Sequence, residues 1–170
     1  MVRFKHRYLL CEVVAEDPRC RRCIDERAVT TAAKGALARA YGDYGLACCS
    51  IAFTGQVKYL NAYTGVVLLR CRKDFYRLLW SALPLVTHLE SRGQRHPCFF
   101  HTLHVGGTIR SCQKFLIQYN RRQLVMLLNS CTNKEERESI QKSLLGCFLQ
   151  EAEEEQFQSG EEEDDCAETD

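Results

Sequence analysis

No stretch of this 170-residue sequence approaches the about 18 consecutive apolar residues a membrane helix needs, which excludes a chain spanning a bilayer as a helix. The basic start, Met1 to Arg7, is followed only by a short apolar stretch, Tyr8 to Val14, which Glu12 breaks. The expectation is therefore a chain without a secretory signal. GxSxG, HExxH and Walker A spacings are all missing, and carboxylates in the first 150 residues are few and scattered. An enzyme acting alone has no visible machinery here. There is no internal repeat, and no second CxxC to complete a zinc site with Cys20 and Cys23. Eleven cysteines, an odd number without a secretory frame, fit a reduced nuclear or cytosolic protein better than a disulfide scaffold.

Basic residues are absent from the last twenty positions, which hold eleven acids. The formal net charge of +1 hides this division. Residues 1–150 carry 23 Lys and Arg against eleven Asp and Glu, an excess of twelve positive charges. Such a body attracts polyanions. The tail, residues 150–170, reads as acidic and disordered, either a solubility device or a polyanion mimic that screens the basic body. At 45% hydrophobic and 26% charged, residues 1–149 read as one globular domain.

Arg3 to Val14 predicts a strand and Asp17-Pro18 its end. Asp25 predicts a helix cap, with the helix running to about Tyr41 and Ala28, Ala32, Ala36 and Ala40 marking its packing face. Gly42 and Gly45 stop it. Leu46 to Phe53 and Val57 to Cys71 are strand-like around a Thr54-Gly55-Gln56 hairpin, with a bulge or bend from Asn61 to Gly65. A helix follows from Asp74 to about Glu90, kinked or shortened at Pro84 and ended by Gly93. Pro97 introduces a strand from Cys98 to Val105, and helices follow over about 108–129 and 134–149. The order is that of an α+β, ferredoxin-like or RNA-recognition-motif-like β-α-β-β-α-β sandwich with two extra C-terminal helices. Its strands are apolar on both faces, so the sheet needs cover on both, from those helices or from a partner protein. The aromatic-and-glycine signature of a base-stacking strand is missing from Tyr59 to Cys71, which directs RNA contact to helices, loops and edges.

Cys20-Arg-Arg-Cys23 reads as loop cysteines between phosphate-seeking arginines rather than a redox pair or zinc site. Cys98, His101 and His104 sit in a strand, where a period of two sends His101 to the face opposite the other two. No metal is expected there. Val105-Gly106-Gly107-Thr108-Ile109-Arg110 joins a strand to a helix. The glycines allow positive φ and close backbone approach, and Thr108 can cap the helix. Two readings stand: a tight turn, or a helix N-terminus that holds a backbone phosphate with Arg110. Along the helix, Arg110, Lys114 and Arg121 fall within roughly 40° of one another, with Arg122 at the margin. Ile109, Cys112, Phe115, Leu116, Tyr119, Met126 and Leu127 take the core side. In a body this basic, the stripe favours RNA phosphates over a merely solvated face.

The blocks Arg7 to Leu10, Tyr59 to Tyr76, Thr102 to Arg110 and Phe115 to Leu124 closely resemble a known family. It is the animal form of the fifth "processing of precursors" subunits, shared by ribonuclease P and ribonuclease MRP. The similarity covers about residues 1–148 and extends to an acidic tail of the same character; residues 17–58 match less clearly. The resemblance implies an RNA-recognition-like fold with added helices and a non-catalytic subunit. The RNA component cuts precursor tRNA 5′ leaders, or ribosomal RNA precursors in the MRP enzyme, using its own magnesium; the protein binds no cofactor. It further implies the two RNAs as partners, precursor tRNA indirectly, a TIM-barrel-like protein subunit and other subunits, no membrane, and residence in the nucleus and nucleolus. On this reading RNA contacts Gly106, Gly107, Thr108, Arg110, Lys114, Arg121 and Arg122, with Lys5, Arg7, Arg72 and Lys73 behind them. A general RNA-binding module and a protein-bridging module are the alternatives.

Overall fold

Alternation fails along the central strands because both of their faces are withdrawn from water. The computed structural model describes residues 5–17, 24–50, 57–91 and 93–146. Strand β1 (His6–Ala15) lies between β3 (Val66–Arg72) and β5 (Gln94–Gly106); β2 (Val57–Asn61) and β4 (His88–Ser91) form the edges, giving the order β2-β3-β1-β5-β4. All four pairings are antiparallel. On one face Leu9, Cys11, Val13, Val67, Leu69 and Cys71 join a core completed by helices α1 (Glu26–Ser50) and α2 (Tyr76–Ala82). On the other, Leu10 is 2% and Leu68 5% exposed. The double-sided apolar pattern is thus double-sided burial.

Asp25 caps α1 as its sequence predicts, with Oδ1 accepting from the Ala28 amide at 2.5 Å. The buried face is Ala28, Val29, Ala33, Ala36 and Leu37, while Ala40 is exposed. A row of residues four apart drifts by roughly 40° per step, so the predicted alanine face rotates out of the core. Gly42, at φ 60°, breaks the helix where expected, yet the chain resumes helically to Ser50. Residues 46–50 of the expected Leu46–Phe53 strand are therefore helical. This short apolar run has no period to distinguish the two states. Residues 51–56, including the expected Thr54–Gln56 hairpin, lie outside the described residues.

The hairpin forms one step later. Where a bend was expected, the Asn61 side-chain oxygen accepts from the Tyr63 amide at 3.0 Å and from the Thr64 amide at 3.4 Å. The turn separates β2 from β3. Gly65, at φ 73°, closes it; its carbonyl accepts from the Val13 amide at 2.8 Å, and a Cβ would stand 2.6 Å from the Val13 carbonyl oxygen. The Asp74–Glu90 helix is shortened at Pro84, as that residue allows: α2 passes into a 3-10 turn, Leu83–Leu85, and His88–Ser91 is strand, burying Leu89. Gly93 serves the β4–β5 hairpin instead of a helix end, and Pro97 lies within β5 opposite His88. The element order is thus the ferredoxin-like one, with β4 added at an edge.

Helix α3 (Ile109–Ser130) and a further helix, α4 (134–146), follow. The chain divides after Cys112 into two compact units. In the second, Phe115 and Tyr119 stack with centroids 6.4 Å apart. Met126 and Leu127, expected on the core side, are 62% and 51% exposed. Helical periodicity marks which side is apolar, not whether anything covers it. Cys20, Cys23 and the acidic tail lie outside the described residues.

Candidate nucleic-acid interface

Antiparallel pairing brings the start of β1, the end of β3 and the end of β5 to one end of the sheet. His6 pairs with Arg72, Arg7 with Cys71, and Tyr8 with both Arg70 and Gly106. Just beyond the paired residues, the Lys73 amide donates to the Lys5 carbonyl at 2.9 Å. Lys5, Arg7, Arg72 and Lys73, remote from one another along the chain, therefore share one end with Gly106-Gly107-Thr108 and Arg110. At the opposite end signs mix: Glu16 and Asp17 follow β1, Arg95 lies at the start of β5, and Asp25, just ahead of Glu26 and Arg27, accepts from Ser91 Oγ at the end of β4 at 3.5 Å.

The glycine turn earns its glycines through close approach, not through positive φ: among the described residues the left-handed glycines are Gly42, Gly65 and Gly93. A Cβ on Gly106 would stand 2.4 Å from Ser111 Oγ and 2.7 Å from Cys112 Sγ. One on Gly107 would stand 3.0 Å from an Arg7 guanidinium nitrogen, which places that cation over the turn. Thr108 caps α3, its Oγ1 accepting from the Ser111 amide at 3.2 Å. Cys112 completes the first turn, its thiol directed to the Tyr8 carbonyl at 3.9 Å. The first turn of α3 has no acid, and Arg110 is exposed there.

Three residues of this end escape the sequence reading. Arg70 places a terminal guanidinium nitrogen 3.1 Å from the His6 ring nitrogens, with its Nε buried and without a hydrogen-bond partner. Arg77 donates from Nε to the Tyr76 hydroxyl at 3.5 Å. That bond, followed by the charges of Arg77, Arg7 and Lys73, pulls the Tyr76 hydroxyl below its ordinary pKa. The signal for Arg77 lay in the run Arg72, Lys73, Arg77, but only the β1–β3 pairing puts Arg7 beside it. Lys114, Arg121 and Arg122 belong to the second unit. There Lys114 and Arg121, two turns apart, share a helix face half-buried, and Arg122 is exposed.

The histidine strand differs from expectation. A bulge between Leu10 and Cys11 pairs Leu10 with His104 but Cys11 with Thr102. The extra residue resets the alternation, so His104 shares the His101 face instead of the Cys98 face. Among the described residues, no three His, Cys, Asp or Glu side chains are grouped to hold a metal ion.

These features define an α+β sheet protein with a cationic sheet end beside a capped helix start. The family model described as the Rpp14/Pop5 family matches residues 7–117. A human protein named "Ribonuclease P/MRP protein subunit POP5" is 63% identical over 95% of this chain and 96% of its own length. Its mouse namesake is 64% identical over 88% of each. A chain in the cryo-EM structure of yeast ribonuclease MRP aligns with TM-score 0.46 at 12% identity, over 72% of this chain and 96% of that one. The chain belongs to the Rpp14/Pop5 family.

Proposed function

We propose that the chain is an RNA-binding protein subunit of ribonuclease P and ribonuclease MRP, supporting removal of tRNA 5′ leaders and processing of ribosomal RNA precursors. Near-full-length identity to relatives bearing that name is the observation that carries this reading. The cationic sheet end supports a mode of action. Lys5, Arg7, Arg72, Lys73 and Arg110 neutralise RNA phosphates beside the Gly106-Gly107-Thr108 turn, and Lys114, Arg121 and Arg122 of the second unit also neutralise RNA phosphates. Neutralising close-packed phosphates lowers the repulsion that opposes a compact RNA fold. The protein acts as an accessory: cleavage, and the magnesium it uses, belong to the RNA. A TIM-barrel-like subunit and others complete the assembly, in the nucleus and nucleolus. Exposed Tyr44, Trp80 and Leu85 offer apolar area to such protein partners.

The test is to tag the full chain, purify its complexes from nuclear extract and sequence the bound RNA. Ribonuclease P and MRP RNAs are expected, together with precursor-tRNA cleavage that disappears when the RNA is digested. A broad RNA population would instead favour a general binder, and protein without enriched RNA a bridging module.

A further inference from the structure

The sheet end holds more than the phosphate contacts named so far. Tyr76 and Phe75 pack partly buried against the core, so the Tyr76 ring is anchored at the point where the chain leaves β3 for α2. Arg77 is exposed and spends its Nε on the Tyr76 hydroxyl, leaving its two terminal nitrogens for another acceptor. Arg7, reaching across Gly107, and Lys73 are the other cations whose charge reaches that hydroxyl. The three charges that act on this phenol, Arg77, Arg7 and Lys73, are all donors that cannot accept its proton; the acid nearest in sequence, Asp74, is exposed and has no part in the shift. An anionic oxygen is the complement: it would accept from the phenol and from the guanidinium at once.

We propose that Tyr76 and Arg77, with Arg7 and Lys73, form a phosphate-binding corner that takes a backbone phosphodiester of RNA. This rests on the RNA-binding reading above and extends it to two residues with a defined division of labour. Arg77 supplies charge and a fork of donors; Tyr76 supplies a fixed neutral donor. A polyanion is favoured over a single acidic side chain of a protein because the corner continues into Lys5, Arg72 and Arg110 along the same end. One carboxylate would use only a fraction of that row, whereas successive phosphates engage all of it.

The experiment compares the full-length wild-type chain with Arg77→Gln, Tyr76→Phe and the remote control Arg27→Gln, which alters an exposed residue near the start of α1. Binding to transcribed ribonuclease P RNA is measured over a series of salt concentrations, with melting curves for each variant. Arg77→Gln should reduce the steepness of the log affinity against log salt plot by about one. Tyr76→Phe should weaken binding roughly tenfold with the slope unchanged, because it removes a donor and not a charge. Arg27→Gln should match wild type in both. Equal affinity and slope for all four proteins would overturn the corner and leave the subunit reading standing. So would variants that bind RNA normally but lose a protein subunit from the purified complex, since the corner would then hold an acidic protein segment. Failure of the wild-type chain itself to bind this RNA would overturn the RNA-binding reading and the corner with it.

Discussion

Cys11 is buried, and burial pushes its thiol up to about 12, partly offset by the hydrogen bond to Thr102 and reinforced by Cys112. Cys98 is raised to about 11, again mainly by burial. In the unfolded chain both ionise near their ordinary value of about 9. Between that value and the folded one, the unfolded state has lost protons that the native state retains, so stability falls as pH rises. Their contribution is complete below about pH 9 and declines above it. Thermal denaturation across pH 8 to 11 should therefore show a loss confined to the alkaline side, and Cys11→Ser, which has no thiol to ionise, should show a smaller alkaline loss relative to its own neutral-pH stability. Alkylation followed by peptide mapping should label half-buried Cys48 and Cys131 before buried Cys11, Cys71, Cys98 and Cys112. At Asp25, whose carboxylate also accepts from Ser91 Oγ at 3.5 Å, Asp25→Ala should cost about 1 kcal/mol in chemical denaturation.

The β2–β3 hairpin depends on one glycine. Gly65→Ala adds a methyl group at positive φ against the backbone of Val13, which cannot retreat without parting β1 from the turn. It should destabilise by more than about 1 kcal/mol, read as a lower denaturation midpoint. Leu9→Ala, in the middle of β1 and fully buried, should cost about 2–5 kcal/mol. The elements legible in advance are those fixed by local chemistry. The Asp25 cap, the break at Gly42, the stop at Pro84 and the Thr108 cap each act within a few residues. Leu46 to Ser50 was not legible, because a short apolar run satisfies helix and strand alike and its neighbours decide. The facing of His104 depends on a bulge that exists only between paired strands. The RNA-facing candidates divide the same way. Arg110 follows from its place after a glycine turn, whereas the company of Arg7, Lys73 and Arg77 needs the strand register.

For the whole molecule, engaging about five to eight phosphates gives a salt slope on the order of −4 to −6. Reversing Arg110 and Lys114 to Glu should flatten it and weaken RNA binding, while the melting transition stays in place. Truncation after Gln150 removes eleven negative charges and leaves a body with twelve excess positive ones. If the tail mimics RNA, the truncated chain should bind ribonuclease P RNA more tightly at low salt, with the gain vanishing at high salt; unchanged affinity would make the tail a solubility device. The antiparallel sheet also has a kinetic consequence. Because it gathers cations at one end of its strands and mixes signs at the other, the field of a nearby polyanion exerts a torque on the molecule as well as a pull. The protein would arrive already turned with its glycine turn forward, so fewer encounters are wasted on unproductive orientations.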